Sequence, residues 1–161
     1  MTGSSKGQIA VDSNLLLLLV IGNWNPRFIA SHRRLSNYSV GDFYLVRDFV
    51  ASFRHIVTTA HVLTEVSNLA GIATGHAKQS IYQELARTID ILDERTINAT
   101  SASTCLEFSI FGLTDAALSM LCLEVPLLTE DGRLAAHLQR KRLEVWTLEN
   151  LKSFRSRANH G

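Results

Sequence analysis

A chain of 161 residues, 46% of them hydrophobic, is long enough and apolar enough to bury the core of one domain, which excludes a disordered protein. The formal charge of +1 excludes a globally basic nucleic-acid-binding protein, so contact with nucleic acid would depend on local basic patches. The candidate patches are Arg33-Arg34, Arg140-Lys141-Arg142 and the group Lys152, Arg155 and Arg157, and a solvated face is the simpler explanation of each.

Cysteine usage and apolar runs indicate a cytoplasmic protein. Cys105 and Cys122 form no CxxC pair for zinc or redox chemistry, which fits a reducing cytosol. The apolar run from Leu15 to Ile21 is too short to span a membrane, and no signal peptide is expected before it. We expect residues 1–7 to be a flexible start, residues 8–150 to form one domain and residues 151–161 to be a basic tail.

Short apolar strands alternate with helical patterns along the chain. In chain order we predict a strand at 8–11, a helix at 14–20, a helix at 42–53, a strand at 55–58, helices at 61–70 and 80–92, a strand at 96–100, a helix at 115–123, a strand at 126–129, a helix at 131–140 and a strand at 143–147. Residues 27–41 are predicted to be a loop or a small helix. This alternation predicts an α/β fold with a mostly parallel central sheet.

Local signals set the predicted helix ends. The segment from Gly22 to Pro26 is expected to end the first helix. Ser80 to Gln83 has the pattern of a capping box and is expected to open the helix that follows. Thr114 is expected to cap the helix that begins at Asp115.

Four acidic residues lie beside these apolar elements: Asp12, Glu65, Asp115 and Asp131. Asp12 and Asp131 each follow a short strand, at the edge where an open parallel sheet binds its ligands. Gathering several carboxylates is costly unless a cation compensates their charge, and hard oxygen ligands favour Mg²⁺ or Mn²⁺. The set therefore predicts a carboxylate-bound Mg²⁺ or Mn²⁺ site that hydrolyses phosphodiesters.

Structural roles are the alternative for each acid taken alone. Asp12, Asp115 and Asp131 could cap a helix or stabilise its first turn. Glu65 caps nothing, so its alternative is solvation at the edge of the apolar stripe of its helix. The six histidines share no motif and are predicted to be structural or solvated. The order of the four acids along the chain is therefore stronger evidence for a functional site than any one acid alone.

That order resembles the PIN-domain family over about residues 8 to 148. Each motif is short, but four of them occur in the family's order on suitable elements. The four motifs are the opening Val11-Asp12-Ser13-Asn14, the helical Thr64-Glu65-Val66, the helix start Leu113-Thr114-Asp115-Ala116 and the closing Thr129-Glu130-Asp131-Gly132-Arg133-Leu134.

The resemblance implies a three-layer α/β/α domain and a Mg²⁺- or Mn²⁺-dependent endoribonuclease that acts on RNA. Small members are commonly the toxin of a toxin–antitoxin pair, form homodimers and are silenced by an antitoxin protein. By the same resemblance, the metal ligands and catalytic acids are Asp12, Glu65 and Asp115, with Asp131 as a looser fourth. The side chains that would hold these carboxylates and their waters in place are Ser13, Asn14 and Thr129.

Several alternatives remain open at this point. Glu130 competes with Asp131 as a ligand, and the stretch from Gly22 to Gly41 is longer than the family's compact link, so it is either a substrate-specific insertion or an interface. The domain could be a catalytically silent interaction module, or an RNA-processing nuclease that is not a toxin. A haloacid-dehalogenase-like phosphatase is disfavoured because the position of its second aspartate is occupied by Asn14.

Overall fold

Five parallel strands form the central sheet of the computed structural model, which describes residues 6–159, with Lys6 described by its backbone alone. The strands are β1 (Lys6–Val11), β2 (Phe53–Thr58), β3 (Asp93–Glu94), β4 (Leu127–Thr129) and β5 (Val145–Thr147). Their order across the sheet is β3-β2-β1-β4-β5, and every neighbouring pair is parallel. The predicted α/β class with a parallel sheet is confirmed.

Helices flank the sheet on both faces. They are α1 (Ser13–Trp24), α2 (Val40–Val50), α3 (Ala60–Ala70), α4 (Gly75–Ile91), α5 (Ala99–Ser103), α6 (Leu106–Phe111), α7 (Leu113–Leu121), α8 (Gly132–Arg140) and α9 (Leu148–Ala158). Helices α1, α3 and α4 contact one another in one layer. The chain runs from β1 outward to β3 and then returns to β4 and β5 on the other side of β1. Right-handed connections therefore place the helices of the two halves on opposite faces, as in a three-layer domain.

The core is centred on β1 and α1. Ile9, Ala10 and Val11 are fully buried, and every residue from Leu15 to Ile21 is buried too. A helix that is apolar on all sides is stable only when other elements cover it, which explains the apolar run near the start of the chain. Within residues 6–159, no helix combines the length and the apolarity that crossing a bilayer requires.

The ends of α1 and α2 differ from the prediction. Helix α1 continues through Gly22 and ends at Trp24. The next residue, Asn25, accepts a hydrogen bond from the Arg27 amide through its side chain. Gly22 lies inside the helix, and the Phe43 ring packs so closely over it that a Cβ would clash there. The segment 27–41, predicted as a loop or a small helix, contains two 3₁₀ turns, Pro26–Ser31 and Arg33–Leu35, and its last two residues already belong to α2. Helix α2 ends at Val50, and Phe53, predicted as helical, opens β2.

Three further predictions in the second half are wrong. Ser80 lies inside α4, which begins at Gly75, so it caps nothing. The strand predicted at 96–100 is replaced by β3 at 93–94, and α5 begins at Ala99, because only Asp93 and Glu94 reach the edge of β2. Thr114 does not cap α7; the preceding residue is Gly112, whose φ of 90° lies in the region that glycine adopts without strain.

The two chain ends also differ from the sequence interpretation. Residues 1–5 of the predicted flexible start lie outside the described residues, while Lys6 and Gly7 already belong to β1. The stretch from Leu151 onward, predicted as a basic tail, belongs to α9 as far as Ala158. Leu151 is buried in the core because α9 packs against α2 and β5.

Candidate functional site

Asp12 lies at the carboxyl end of β1, at the point where the strand order reverses. Strand β1 has β2 on one side and β4 on the other, so the connections of the two halves diverge beside it. Open α/β sheets bind their ligands in the crevice at such a switch point. The Asp12 side chain is 7% exposed, and its position follows directly from the buried strand before it.

Hydrogen bonds fix the Asp12 carboxylate between the ends of β1 and β4. Its Oδ1 accepts from the Leu15 amide at 3.0 Å, which caps α1. Its Oδ2 accepts from Thr129 Oγ1 at 2.5 Å and from the Glu130 amide at 2.8 Å. Burial raises the pKa of Asp12, the three hydrogen bonds oppose that rise, and the charge of Asp131 adds to it. Oδ2 is saturated by its two donors, whereas Oδ1 keeps one lone pair for a further partner.

Thr129 connects Asp12 to the residue predicted as the fourth acid. Its side chain is fully buried, and its Oγ1 accepts a hydrogen bond from the Asp131 amide at 3.0 Å while it donates to Asp12. Asp131 itself caps α8 by accepting from the amides of Arg133 and Leu134. Asp131 is therefore an N-cap in this structure, which is the structural role that the sequence left open.

Asp115 occupies the first turn of α7 and experiences the charges of all three other predicted acids. Burial, and then the negative charges of Asp12, Asp131 and Glu65, raise the pKa of Asp115 to about 7. Glu65 is half-buried on α3, which packs against α7. The fold thus brings the four acids within electrostatic reach of one another, from positions in the chain as far apart as 12 and 131.

Acids that influence one another's pKa do not necessarily lie close enough together to coordinate one metal ion. Among residues 6–159, no three His, Cys, Asp or Glu side chains come together as a group that could hold a metal ion. The donor set nevertheless fits a divalent cation in kind, because the four acids supply only hard oxygen atoms and their mutual repulsion is what a cation relieves. Side-chain rotation would have to bring the carboxylates together around the ion.

The remaining predicted residues have separate positions. Ser13 is buried at the start of α1 beside Asp12. Asn14 Oδ1 accepts a hydrogen bond from Arg34 Nε at 2.9 Å, which ties α1 to the 3₁₀ turn at Arg33–Leu35. Partial burial and the charge of Asp12 raise the pKa of Glu130, while Arg34 and Lys152 lower it. Arg34 and Lys152 are thus the basic candidates that lie close to the acidic edge.

Sequence analysis did not identify two other polar groups. Glu107 on α6 is 4% exposed and lies 2.6 Å from Lys141 Nζ and 2.8 Å from His137 Nε2. The second group lines a cleft of about 270 Å³ beside the acids and includes Asn37 and Tyr38. An acid between the apolar residues Leu106 and Phe108 is a signal that could have indicated the first group, whereas no pattern in the chain indicates the second.

Comparison with known proteins adds no family assignment. Neither a protein-family model nor a curated protein matches this chain significantly.

Proposed function

We propose that this protein is a PIN-like, Mg²⁺- or Mn²⁺-dependent endoribonuclease that hydrolyses phosphodiester bonds in RNA. The observation that carries the proposal is the Asp12 carboxylate, held by Thr129 and the Glu130 amide at the switch point of a parallel sheet. The raised pKa of Asp115 supports it, because charges that destabilise one another in the free protein are suited to a cation.

Asp12, Glu65 and Asp115 would hold the ion, with Asp131 as a looser fourth acid. When bound, Mg²⁺ or Mn²⁺ would polarise the phosphate and make water a stronger nucleophile. Thr129 would orient Asp12, because its hydroxyl donates to one carboxylate oxygen and leaves the other oriented toward α1. Asp131 would be kept at the edge by its own capping bonds to α8.

The biological role that we propose is that of the toxin in a toxin–antitoxin pair, acting as a homodimer in the cytoplasm until an antitoxin protein silences it. This role rests on the resemblance of the four acidic motifs to the small members of the PIN-domain family. Cys105 and Cys122 are free thiols, as expected in a reducing compartment. A housekeeping RNA-processing nuclease has the same chemistry and differs in its partner and its effect on growth.

Incubation with single-stranded and structured RNA in Mg²⁺, Mn²⁺ or EDTA tests the nuclease. Cleavage is expected only with metal and is expected to fall at least a hundredfold in Asp115→Asn, because a carboxylate ligand is lost. Asp90→Asn is a matched control, since Asp90 is an exposed acid on α4 far along the chain from the four acids.

Two outcomes contradict the proposal. Intact RNA under every metal condition, from a folded protein, would favour an interaction module without catalysis. Equal activity in Asp115→Asn and Asp90→Asn would move the chemistry away from these acids. Growth arrest on expression, relieved by a small neighbouring gene, separates a toxin from a processing enzyme.

A further inference from the structure

A cleft of about 270 Å³ opens directly beside the acidic edge of the sheet. Glu130 and Asp131 belong to its lining, and so does Asn14, two residues after Asp12. The rest of its lining comes from the segment between α1 and α2, namely Arg34, Asn37 and Tyr38. The cleft therefore joins the proposed reaction site to the segment between α1 and α2.

Arg34 is the cation of this cleft. Its Nε donates to Asn14 Oδ1 at 2.9 Å, which fixes the plane of the guanidinium group. Within residues 6–159, its terminal nitrogens take part in no hydrogen bond and in no salt bridge within 4 Å, although the charge of Arg34 acts on Glu130 at longer range. A guanidinium group held by one edge, with its other donors free, is suited to a phosphate oxygen.

Tyr38 and Asn37 supply polar groups without charge. Tyr38 is 8% exposed, and its hydroxyl is a buried polar atom with no hydrogen-bond partner in the described part of the chain. Native proteins leave few such atoms unpaired, so an unpaired hydroxyl on a residue that lines a cleft points to a ligand that completes it. The exposed Asn37 amide offers both a donor and an acceptor, the combination that the edge of a base requires.

Buried residues of the two 3₁₀ turns hold the segment that lines the cleft against the core. Ile29 and Leu35, in the two 3₁₀ turns, are fully buried and anchor this segment in the core. The cleft is thus built on packed residues before any ligand arrives, which reduces the ordering cost of binding. A cleft of this size admits one base only if that base is unpaired and unstacked, a condition met by single-stranded RNA.

We infer that this cleft binds an unpaired nucleotide of single-stranded RNA next to the scissile phosphate, with Arg34 on a backbone phosphate and Asn37 and Tyr38 on the base. The placement next to the scissile phosphate rests on the proposed nuclease function, but RNA binding by the cleft can be measured without cleavage. Glu130 and Asp131 accept hydrogen bonds only, so the N–H groups of the base, rather than phosphate oxygens, are suited to them.

The test measures binding of a short fluorescein-labelled single-stranded RNA by anisotropy in EDTA. The background is Asp115→Asn, which removes one repelling carboxylate and prevents cleavage. Adding Arg34→Ala is expected to raise Kd about tenfold and to reduce the slope of log Kd against log salt by about one, as for the loss of one phosphate contact. Tyr38→Phe is expected to raise Kd several-fold with the salt slope unchanged, since it removes no charge.

Arg33→Ala is the matched control. Arg33 is an exposed arginine on the same 3₁₀ turn, and it is absent from the lining of the cleft. Equal weakening by Arg33→Ala and Arg34→Ala would overturn the inference, because it would show a general electrostatic attraction. Duplex RNA or single-stranded DNA that binds as tightly as single-stranded RNA would overturn it as well.

Cleavage assays separate this inference from the proposed function. If the unaltered protein cleaves RNA and Arg34→Ala leaves KM unchanged, the cleft assignment fails and the nuclease stands. If the unaltered protein leaves RNA intact while binding still depends on Arg34 and Tyr38, the nuclease fails and the cleft remains an RNA-binding site. Circular dichroism of each variant excludes loss of fold as the cause.

Discussion

At the scale of single residues, Thr129 combines a buried position in the sheet with hydrogen bonds to two of the acidic residues. It is fully buried at the end of β4, it donates to Asp12, and it accepts from the Asp131 amide. A hydroxyl that serves two partners in a buried site cannot be replaced by a methyl group without leaving a polar atom unpaired. Thr129 therefore links the stability of the sheet to the geometry of the acids.

Thr129→Val is expected to lower the free energy of unfolding by about 2 kcal/mol, because it keeps the shape and leaves the Asp131 amide unpaired. Urea unfolding measures this change. Thr129→Ser keeps the hydroxyl and should recover most of the loss, apart from the deleted methyl group. Equal losses in both variants would mean that packing, rather than the hydrogen bonds, accounts for the effect.

At the scale of elements, α1 and α2 approach each other unusually closely. A Cβ placed on Gly22 would clash with Phe43 Cδ2, so this helical position requires glycine. Sequence rules treat glycine inside a helix as a breaker, and for that reason the predicted end of α1 came too early. The close approach of the Phe43 ring, which no local pattern reveals, explains why a glycine occupies this helical position.

Gly22→Ala is expected to destabilise the protein by about 1–3 kcal/mol, although alanine is the better helix former, because the added methyl group overpacks the contact with Phe43. Gly41→Ala in α2 is the matched control. A Cβ there would meet only Ser39 Oγ at 3.4 Å, so this change should be neutral or slightly stabilising. Thermal unfolding of the two variants gives the comparison, and similar melting temperatures would contradict it.

Helices α6 and α8 are connected by the buried carboxylate of Glu107. Burial acts to raise the pKa of this group, but hydrogen bonds from Lys141 and His137 outweigh it and lower the pKa to about 2. A folded-state pKa below the unfolded value of about 4.5 contributes stability above that value and loses it as the pH falls toward 2. The link between the two helices is therefore acid-labile.

Glu107→Gln is expected to cost on the order of 2–3 kcal/mol at pH 7, and the difference from the unaltered protein should shrink between pH 4.5 and pH 2. Urea unfolding at several pH values in this range measures it. Glu124→Gln serves as the control, since the Glu124 side chain is 71% exposed in its pair with Arg95. A difference that persists unchanged at low pH would show that charge is not the cause.

Features set by residues close together in the chain are predicted well from the sequence, whereas features set by distant residues are not. The strands at β1, β2 and β4 and the start of α8 were predicted closely, because apolar runs and the Asp131 cap are local signals. The strand at 96–100 and the Ser80 cap were wrong, and the predicted basic tail is helical as far as Ala158, because sheet edges and the docking of α9 depend on distant residues. Of the candidate site, the order of the acids along the chain predicts the four carboxylates, and their role as ligands stays a prediction. The cleft at Tyr38 has no signal in the sequence, since it forms only when α1, the 3₁₀ turns and the end of β4 meet.

At the scale of the whole molecule, the four acids repel one another electrostatically, and a bound cation would reduce this repulsion. Saturating Mn²⁺ is expected to raise the melting temperature, with a stabilisation of about 3 kcal/mol at a hundredfold excess over Kd. Asp115→Asn should melt higher than the unaltered protein in EDTA and respond less to Mn²⁺, because the group whose pKa lies near 7 is gone. Differential scanning fluorimetry with Asp90→Asn as a control measures both effects, and equal shifts in all three proteins would contradict a site at these acids.

The strands also differ in length across the sheet. The central strands β1 and β2 have six residues each, whereas the outermost strands β3 and β5 have two and three. Long exposed edges offer unpaired backbone groups to other chains and are common starting points of aggregation and strand exchange. A sheet that is widest at its centre and short at both borders offers little such template. Backbone pairing between copies of this chain is therefore disfavoured at both borders of the sheet.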